Sequence, residues 1–348
     1  MYTLTQGKGV GVGITIRDVA VAAGVSTATV SRALRGLPNV DQVTRERVKE
    51  VAAGLDYVIS PSASRLASGR TGSIAVITPY IARWFFSEVI AGVESVMQQA
   101  GMDLLLMNVG DYHNGHARIP PTPRLRRRVD GILIVALPPQ DPDLEPILNL
   151  EIPTTMIGGI TPKGESVVID DVAVAIKATE HLVGLGHTRI ALMAGIPAEA
   201  HFTAESQRER GFHVVMKQNS LVEDPMLEVF GHFTMEGGES AMDALLNQPN
   251  PPTAVFAMSD EMAFGAIRSL RKHGIEPGRD VSIVGVDDHP MSSYLGLTTV
   301  SQPVSELGVT AGERLLAQIL GIDPLGENGR VTELPTTLVV RNSTGPKN

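Results

Sequence analysis

The first thirteen residues carry no hydrophobic rhythm. They end GKGVGVG, and because no strand pattern precedes those glycines, a loose tail is expected rather than a phosphate-cradling loop. From Thr15 onward, apolar positions recur at helical spacing. Thr15, with Asp18 three residues on, reads as an N-cap, Ile16, Val19, Ala20 and Ala23 form one apolar side, and Gly24 ends the helix. Val25 should sit under the turn, and Ser26 caps a second helix, Thr27 to Leu34, stopped by Gly36 and Pro38. A third helix, capped by Asp41, runs through Arg45, Val48 and Val51 to Leu55 and supplies the apolar face that closes a three-helix unit. The first two helices and their tight glycine turn predict a helix-turn-helix over residues 14–58.

Residues 59–71 follow as a Ser- and Ala-rich linker. Ala63, Leu66 and Ala67 share a side only if Ser62 to Ser68 become helical, and alone the segment should be loose. From Ser73 the rhythm changes to short aliphatic runs alternating with amphipathic stretches: SIAVITP, SEVIAGVESVMQQAG, DLLLMNV and DGILIVAL. A second set begins with a helix from Asp171 to Leu185 and continues through RIALMAG, TAVFAMS and VSIVGVDD. This is βαβ rhythm, and it predicts two parallel-sheet lobes. The expected fold class is thus an all-α helix-turn-helix head plus an α/β core of two lobes over residues 72–343. The first lobe takes about 72–171 and 303–331, the second about 172–302 and 332–343, and a tail closes the chain at 344–348.

Charge sharpens the division. The chain has 348 residues and a net charge of −9, but its first seventy hold nine Lys and Arg against five acids, leaving twenty basic and thirty-three acidic residues to the rest. A basic head on an acidic body is the asymmetry expected when only the head meets phosphate. Cysteine is absent, which removes disulfides and thiolate metal sites, and no stretch is long and apolar enough to span a membrane. The N-terminus lacks the apolar core of a signal peptide, so a cytoplasmic location is expected.

The outward face of the second helix carries candidate chemistry. Val30, Ala33 and Leu34 can face inward, leaving Thr27, Ala28, Ser31 and Arg32 outward with Thr29 near the start. Small residues let such a helix enter a major groove, hydroxyls suit phosphate oxygens, and Arg32 can take guanine O6 and N7 together. TIRDVAVAAGVSTATVSRALRG and VTRERVKEVAAGLDY closely resemble the N-terminal pattern of the lactose-repressor (LacI/GalR) family. The resemblance implies that Thr27, Ala28 and Arg32 read bases, that Ser26, Thr29, Ser31 and Asn39 position the head on phosphates, and that Tyr57 is core. It also implies that the linker is a hinge helix ordered on double-stranded operator DNA, in which Leu66, with Ala63 beside it, enters the minor groove as a wedge. Ile59 and Ser60 depart from the family's usual Tyr-x-Pro-Asn, and a plain flexible linker is the other reading of this segment.

In open α/β sheets ligands bind at the carboxyl ends of strands, and two facing lobes enclose a cleft. Tyr80 and Arg83–Phe86 follow the first strand, Ser206 and Arg208 follow RIALMAG, Asp260 follows TAVFAMS, and Asp287 and Asp288 end VSIVGVDD. Aromatic planes beside carboxylates and arginine suit a polyhydroxylated small molecule, best a sugar or sugar derivative. The body also resembles the family core, which is like periplasmic sugar-binding proteins, through LVGLGHTRIALMAG, MSDEMAFGAIRSLRKHGIEPGRDVSIVGVDD, LTTVSQPVSELGVTAGERLL and TLVVRNST. That resemblance implies ligand stacking by Phe85 and Phe86, a polar contact from Arg83, and contacts from Arg208, Phe233, Ser259, Asp287 and Gln302. Two bland roles stay open: Phe85 and Phe86 as core, and Asp287 as a loop cap. Ser259 stands where the family often has Asn, and Gly158 and Gly159 where several members place an acid, so Arg83 could instead meet a phosphate or carboxylate.

The nine histidines show no HExxH-type spacing, so neither a metal nor a cofactor is assigned. The basic run at Arg124 and Arg126–Arg128 reads as a solvated helix end, and IPPTP at 119–123 breaks the helix that the family usually has there. One head reads few base pairs, so a homodimer on palindromic DNA is expected. The chain then reads as a transcriptional repressor and not an enzyme, since no nucleophile elbow, P-loop or dinucleotide fingerprint follows a strand. The competing reading, a solute-binding receptor, explains the body but leaves the head without a role.

Overall fold

The computed structural model describes residues 14–34, 36–57, 70–110, 119, 122–161, 164–196, 203–322 and 330–347. The N-terminal thirteen residues, Ala63 and Leu66 of the linker, and the loop with His113 and His116 lie outside the described residues. Contacts divide the chain into two units, up to Thr71 and from Gly72 onward.

The first unit holds α1 (Ile16–Ala23), α2 (Thr27–Leu34) and α3 (Gln42–Gly54). Its start is set by Asp18, whose carboxylate accepts from the Thr15 backbone N–H at 2.8 Å and the Thr15 hydroxyl at 2.7 Å. Gly24 ends α1 at φ 63°, a left-handed conformation that costs glycine little. Ser26 caps α2 by accepting from the Thr29 N–H at 3.1 Å, and Asp41 caps α3 by accepting from the Thr44 N–H at 2.9 Å. Val19, Ala20, Ala23, Val30, Ala33, Val48 and Ala52 form the core. Val51, Leu55 and Tyr57 reach only its margin, because Ala52 takes the inward position of the last turn of α3.

The second unit contains two six-stranded sheets. The first is built from β1 (Ser73–Thr78), β2 (Asp103–Asn108), β3 (Gly131–Val135), β4 (Thr154–Ile157) and β5 (Glu165–Val168), with β11 (Val331–Glu333) at its far edge, all parallel. The second has β6 (Ile190–Ala194), β7 (Glu228–Phe230), β8 (Ala254–Ala257), β9 (Ser282–Asp287) and β10 (Thr298–Ser301), and β12 (Thr337–Val339) closes it antiparallel to β10. Central strands β3, β6 and β8 are buried along their whole length, so they read as continuous aliphatic runs rather than alternating ones.

Helices α4 (Trp84–Gln99) and α5 (Glu145–Leu148) belong to the first half of the unit, and α6 (Asp171–Gly184), α7 (Thr203–Gln218), α8 (Met235–Leu246), α9 (Asp260–Lys272) and α10 (Pro290–Leu295) to the second. Helix α11 (Val304–Leu320) packs back on α4 and on β3 to β5. The α4–α11 crossing is close enough that a Cβ on Gly92 would stand 2.3 Å from the Ser305 carbonyl oxygen, so glycine is required there.

Three details differ from the sequence reading. The return to the second sheet falls between Glu333 and Thr337, because β11 pairs with β5 through Glu333. The residues set apart as a tail are bonded into the second lobe: the Lys347 N–H donates to Leu185 O at 2.9 Å, and His187 Nε2 lies 3.1 Å from Gly345 O. Thr122–Arg124 forms a single 3-10 turn, and Arg126–Arg128 are exposed on the turn after it rather than on a helix end.

Candidate functional site

The carboxyl ends of the two sheets line one cavity of about 120 Å³. Tyr80 follows β1, Gly158 follows β4, Ile169 follows β5, Phe233 follows β7, Ser259 follows β8, and Asp287 ends β9. All eight residues nominated for a ligand, Arg83, Phe85, Phe86, Arg208, Phe233, Ser259, Asp287 and Gln302, line this cavity.

Their local geometry explains how each is held. Arg83 is the N-cap of α4 and its guanidinium lies 3.6 Å from the centre of the Tyr80 ring, a cation–π contact. Phe85 and Phe86 occupy the first turn of α4, which begins three residues earlier than the sequence pattern predicts. Their rings meet edge to face at 5.3 Å, and Tyr80 meets Phe86 the same way. Phe233 and its neighbour His232 both have left-handed backbone, at φ 51° and 55°. The Phe233 ring lies so close to Gly195 that any Cβ there would collide with it at 1.8 Å. Two such residues in succession are a local strain held by surrounding structure.

The polar wall is built around Arg208 on α7. Its Nε donates to Asp171 Oδ1 at 2.7 Å and a terminal nitrogen donates to Met258 O at 2.6 Å. Asp171, at the start of α6, is held above the usual carboxylate range by burial, with Arg208 pulling the other way. Glu205, one turn before Arg208, accepts from the Ile196 N–H at 2.5 Å and is pushed up to about 7 by burial. Asp287 is likewise pushed up to about 7 by burial; it accepts from the Gln302 side-chain amide and sits at φ 125°, far outside the ordinary range for a side-chain-bearing residue. Ser259 is the N-cap of α9, its hydroxyl accepting from the Met262 N–H at 3.4 Å, so the same oxygen can still donate into the cavity.

Three strand-end groups singled out in the sequence do other work. Asp260 is fully buried away from the cavity; its carboxylate accepts from the His289 N–H at 2.9 Å and from the Thr299 and Ser292 hydroxyls at 2.6 and 2.5 Å. It lies against Gly285, where a Cβ would come within 2.2 Å of it. Asp288 pairs with Arg341 at 2.7 Å and so ties β12 to the end of β9. Ser206 faces outward on α7.

Glu205, Asp171 and Glu261 line the cavity as well and were missed. The helical spacing of Glu205 and Arg208 carries a usable signal, whereas Asp171 depends on how α6 meets α7. Just outside, Trp84 of α4 packs against His289 beyond β9, with ring centres 4.6 Å apart and planes inclined at 55°, so the two lobes touch there.

On the first unit, Ser26, Thr27, Ala28, Arg32 and Asn39 are exposed, and Thr29 and Ser31 half-buried. They form the outer face and start of α2, with Asn39 at φ 68° on the loop after it. That loop is held by Arg45 of α3, which donates to Leu37 O at 2.8 Å, Ala33 O at 3.3 Å and Val40 O at 3.5 Å.

Residues 15–60 match the family model for bacterial regulatory proteins of the lacI family, and 179–344 match a periplasmic binding protein-like domain. The chain is 35% identical over 340 residues to the HTH-type transcriptional repressor CytR of Escherichia coli (strain K12), covering 95% of this chain and 96% of that protein. The chain belongs to the LacI family of bacterial transcriptional regulators. A crystal structure of the lac repressor dimer bound to operator and the anti-inducer ONPF matches with TM-score 0.82 and 30% identity, over 95% of this chain and 99% of that one. A LacI family regulator from Enterococcus faecium, solved with bound ribose, matches with TM-score 0.68 and 29% identity, over 79% of this chain and 100% of that one. These relatives are regulators, not enzymes. Among the described residues, no helix is long and apolar enough to cross a membrane.

Proposed function

We propose that this regulator is a cytoplasmic repressor that binds palindromic operator DNA as a homodimer and is controlled by a sugar or sugar-derived effector in the interlobe cavity, with no catalytic role. The observation that carries the effector class is the make-up of the cavity: Tyr80, Phe85, Phe86 and Phe233 beside Arg208, Glu205, Asp287 and Gln302. Aromatic faces take the C–H faces of a sugar ring, while the charged groups and amide bond its hydroxyls. The ribose and operator complexes of the relatives support the same reading.

Within this proposal Thr27, Ala28 and Arg32 read bases, and Ser26, Thr29, Ser31 and Asn39 set the head on phosphates. Ala63 and Leu66 act in the hinge. Effector and operator then bias one equilibrium, so each changes the affinity of the other by the same factor. A thermal-shift screen of sugars and sugar phosphates tests the effector class, because a binder at a hundredfold excess over its Kd stabilises the native state by about 2.7 kcal/mol. Failure of every sugar alongside success of a nucleobase would overturn it. An electrophoretic shift tests the head: Arg32→Ala should lose preference for operator over random DNA.

A further inference from the structure

Away from the cleft, α7 carries a second group of titratable side chains. Glu209 and His213 are four residues apart, which puts them on one face of the helix. Across from them is Glu228 on β7, the edge strand of the second sheet. His213 Nε2 lies 3.8 Å from Glu209 Oε1 and 3.7 Å from Glu228 Oε1, and one donor atom from each of the three falls within 4.8 Å of the others. On the other side of the ring, Glu223 Oε2 is 3.4 Å from Nδ1, a buried atom that has no well-aligned hydrogen bond.

Three carboxylates therefore surround one imidazole, which can carry at most a single positive charge. Among the described residues, no Lys or Arg forms an ion pair with Glu209, Glu223 or Glu228. Like charges gathered this closely repel, and a cation between them removes the repulsion. The two faces of the ring also differ in a meaningful way. Nε2 points at two carboxylates and Nδ1 at one, which is how a metal-bound imidazole is arranged: one nitrogen on the ion, the other donating its N–H to an orienting carboxylate.

We infer that Glu209, His213 and Glu228 form a binding site for a divalent transition-metal ion such as Zn²⁺, with Glu223 as the positioning residue for the imidazole. One nitrogen and two carboxylate oxygens suit such an ion, whose donors in tetrahedral geometry stand about 3.3 Å apart. The imidazole nitrogen stands 3.7 and 3.8 Å from the two carboxylate oxygens, so each of these gaps closes by about half an ångström around the ion. Each is between 30% and 44% exposed, so entry is open and water completes the coordination. The bound ion staples α7 to β7 one helical turn along from Glu205, which lines the cavity. The sequence hid this site because its third ligand lies fifteen residues beyond the histidine, outside any short metal-binding spacing.

The test is Zn²⁺ binding by untagged, EDTA-treated full-length protein, followed by calorimetry and by the thermal midpoint; the absence of cysteine removes thiolate competition. One equivalent of Zn²⁺ should bind and raise the midpoint. His213→Ala and the isosteric Glu209→Gln and Glu228→Gln should lose both effects. Glu223→Ala should keep the stoichiometry and bind about 10- to 100-fold more weakly. All four should retain operator binding, which reports an intact fold. Equal uptake by His213→Ala and the native protein, or no uptake by native protein at about 1 mM Zn²⁺, a concentration far above the dissociation constants of built sites, would overturn the proposal.

Discussion

Arg208 and Asp171 form an ion pair 2.7 Å long in which both side chains are more than nine-tenths buried. A buried pair is a poor source of net stability, yet breaking it by removing one partner costs about 3–5 kcal/mol, because the other charge stays behind without compensation. Arg208→Met keeps most of the volume and strands Asp171. We expect a lower urea midpoint with an unchanged denaturant slope, and partial recovery in Arg208→Met/Asp171→Leu. Both variants should lose the effector response, because the guanidinium also faces the cavity. Equal stability of Arg208→Met and native protein would show that the pair carries no structural weight.

The cavity carboxylates make a prediction about pH. Glu205 and Asp287 are both pushed up to about 7 by burial, above their unfolded values of 4.5 and 3.8. A raised carboxylate pKa means the native state holds protons that the unfolded state has released, so these two groups favour the fold at low pH and their contribution is lost as pH rises toward 7. Glu205→Gln and Asp287→Asn should therefore flatten the fall in thermal midpoint between about pH 5 and 7, measured at fixed ionic strength. An unchanged profile in both variants would mean that these groups are ionised in the folded state across that range.

Arg45 is a case where charge suggests one role and contacts another. It lies in the basic head, but its guanidinium is spent on the carbonyls of Ala33, Leu37 and Val40, fixing the loop that carries Asn39. Arg45→Ala should lower operator affinity by about 1–3 kcal/mol, the cost of losing charged hydrogen bonds. The slope of log affinity against log salt should stay the same, since removing a side chain that neutralises one DNA phosphate would reduce it by about 0.9. A shallower slope would mean that Arg45 meets phosphate directly.

What was legible in the sequence was what depends on local pattern. Thr15–Asp18, Ser26 and Asp41 announce the helix starts because a cap acts within three residues, and the aliphatic runs at β1, β3, β6 and β9 announce buried parallel strands. The strand-end rule reached Arg83, Phe85, Phe86, Arg208 and Asp287, and the family resemblance added Phe233, Ser259 and Gln302, but the rule alone could not tell Asp287, which lines the cavity, from Asp288, one residue on, which pairs with Arg341. Nor could it show that Asp260 would turn inward onto Ser292 and Thr299. Those outcomes depend on which face a side chain leaves a bent strand end, and that is decided by distant partners. Trp84 was named with the strand-end group, but its contact was hidden for the same reason: its partner His289 is far along the chain, in the other lobe.

The Trp84–His289 ring contact offers a direct readout of the cleft. Trp84 is the chain's single tryptophan, and its ring centre lies 4.6 Å from that of His289, which itself meets Phe264 edge to face at 5.3 Å. Burial holds His289 below the usual histidine range, so the ring is neutral at pH 7 and the contact there is one of packing rather than charge. Because one ring belongs to each lobe, any rotation of the lobes on effector binding must alter the contact. A sugar that raises the thermal midpoint should therefore change the emission of Trp84 with the same concentration dependence. His289→Ala should shift the emission of the free protein toward that of an exposed indole and diminish the response to ligand. Constant emission in the presence of a sugar that demonstrably stabilises the native protein would show that the effector is bound with the lobes fixed, and that signalling to the head does not run through this contact.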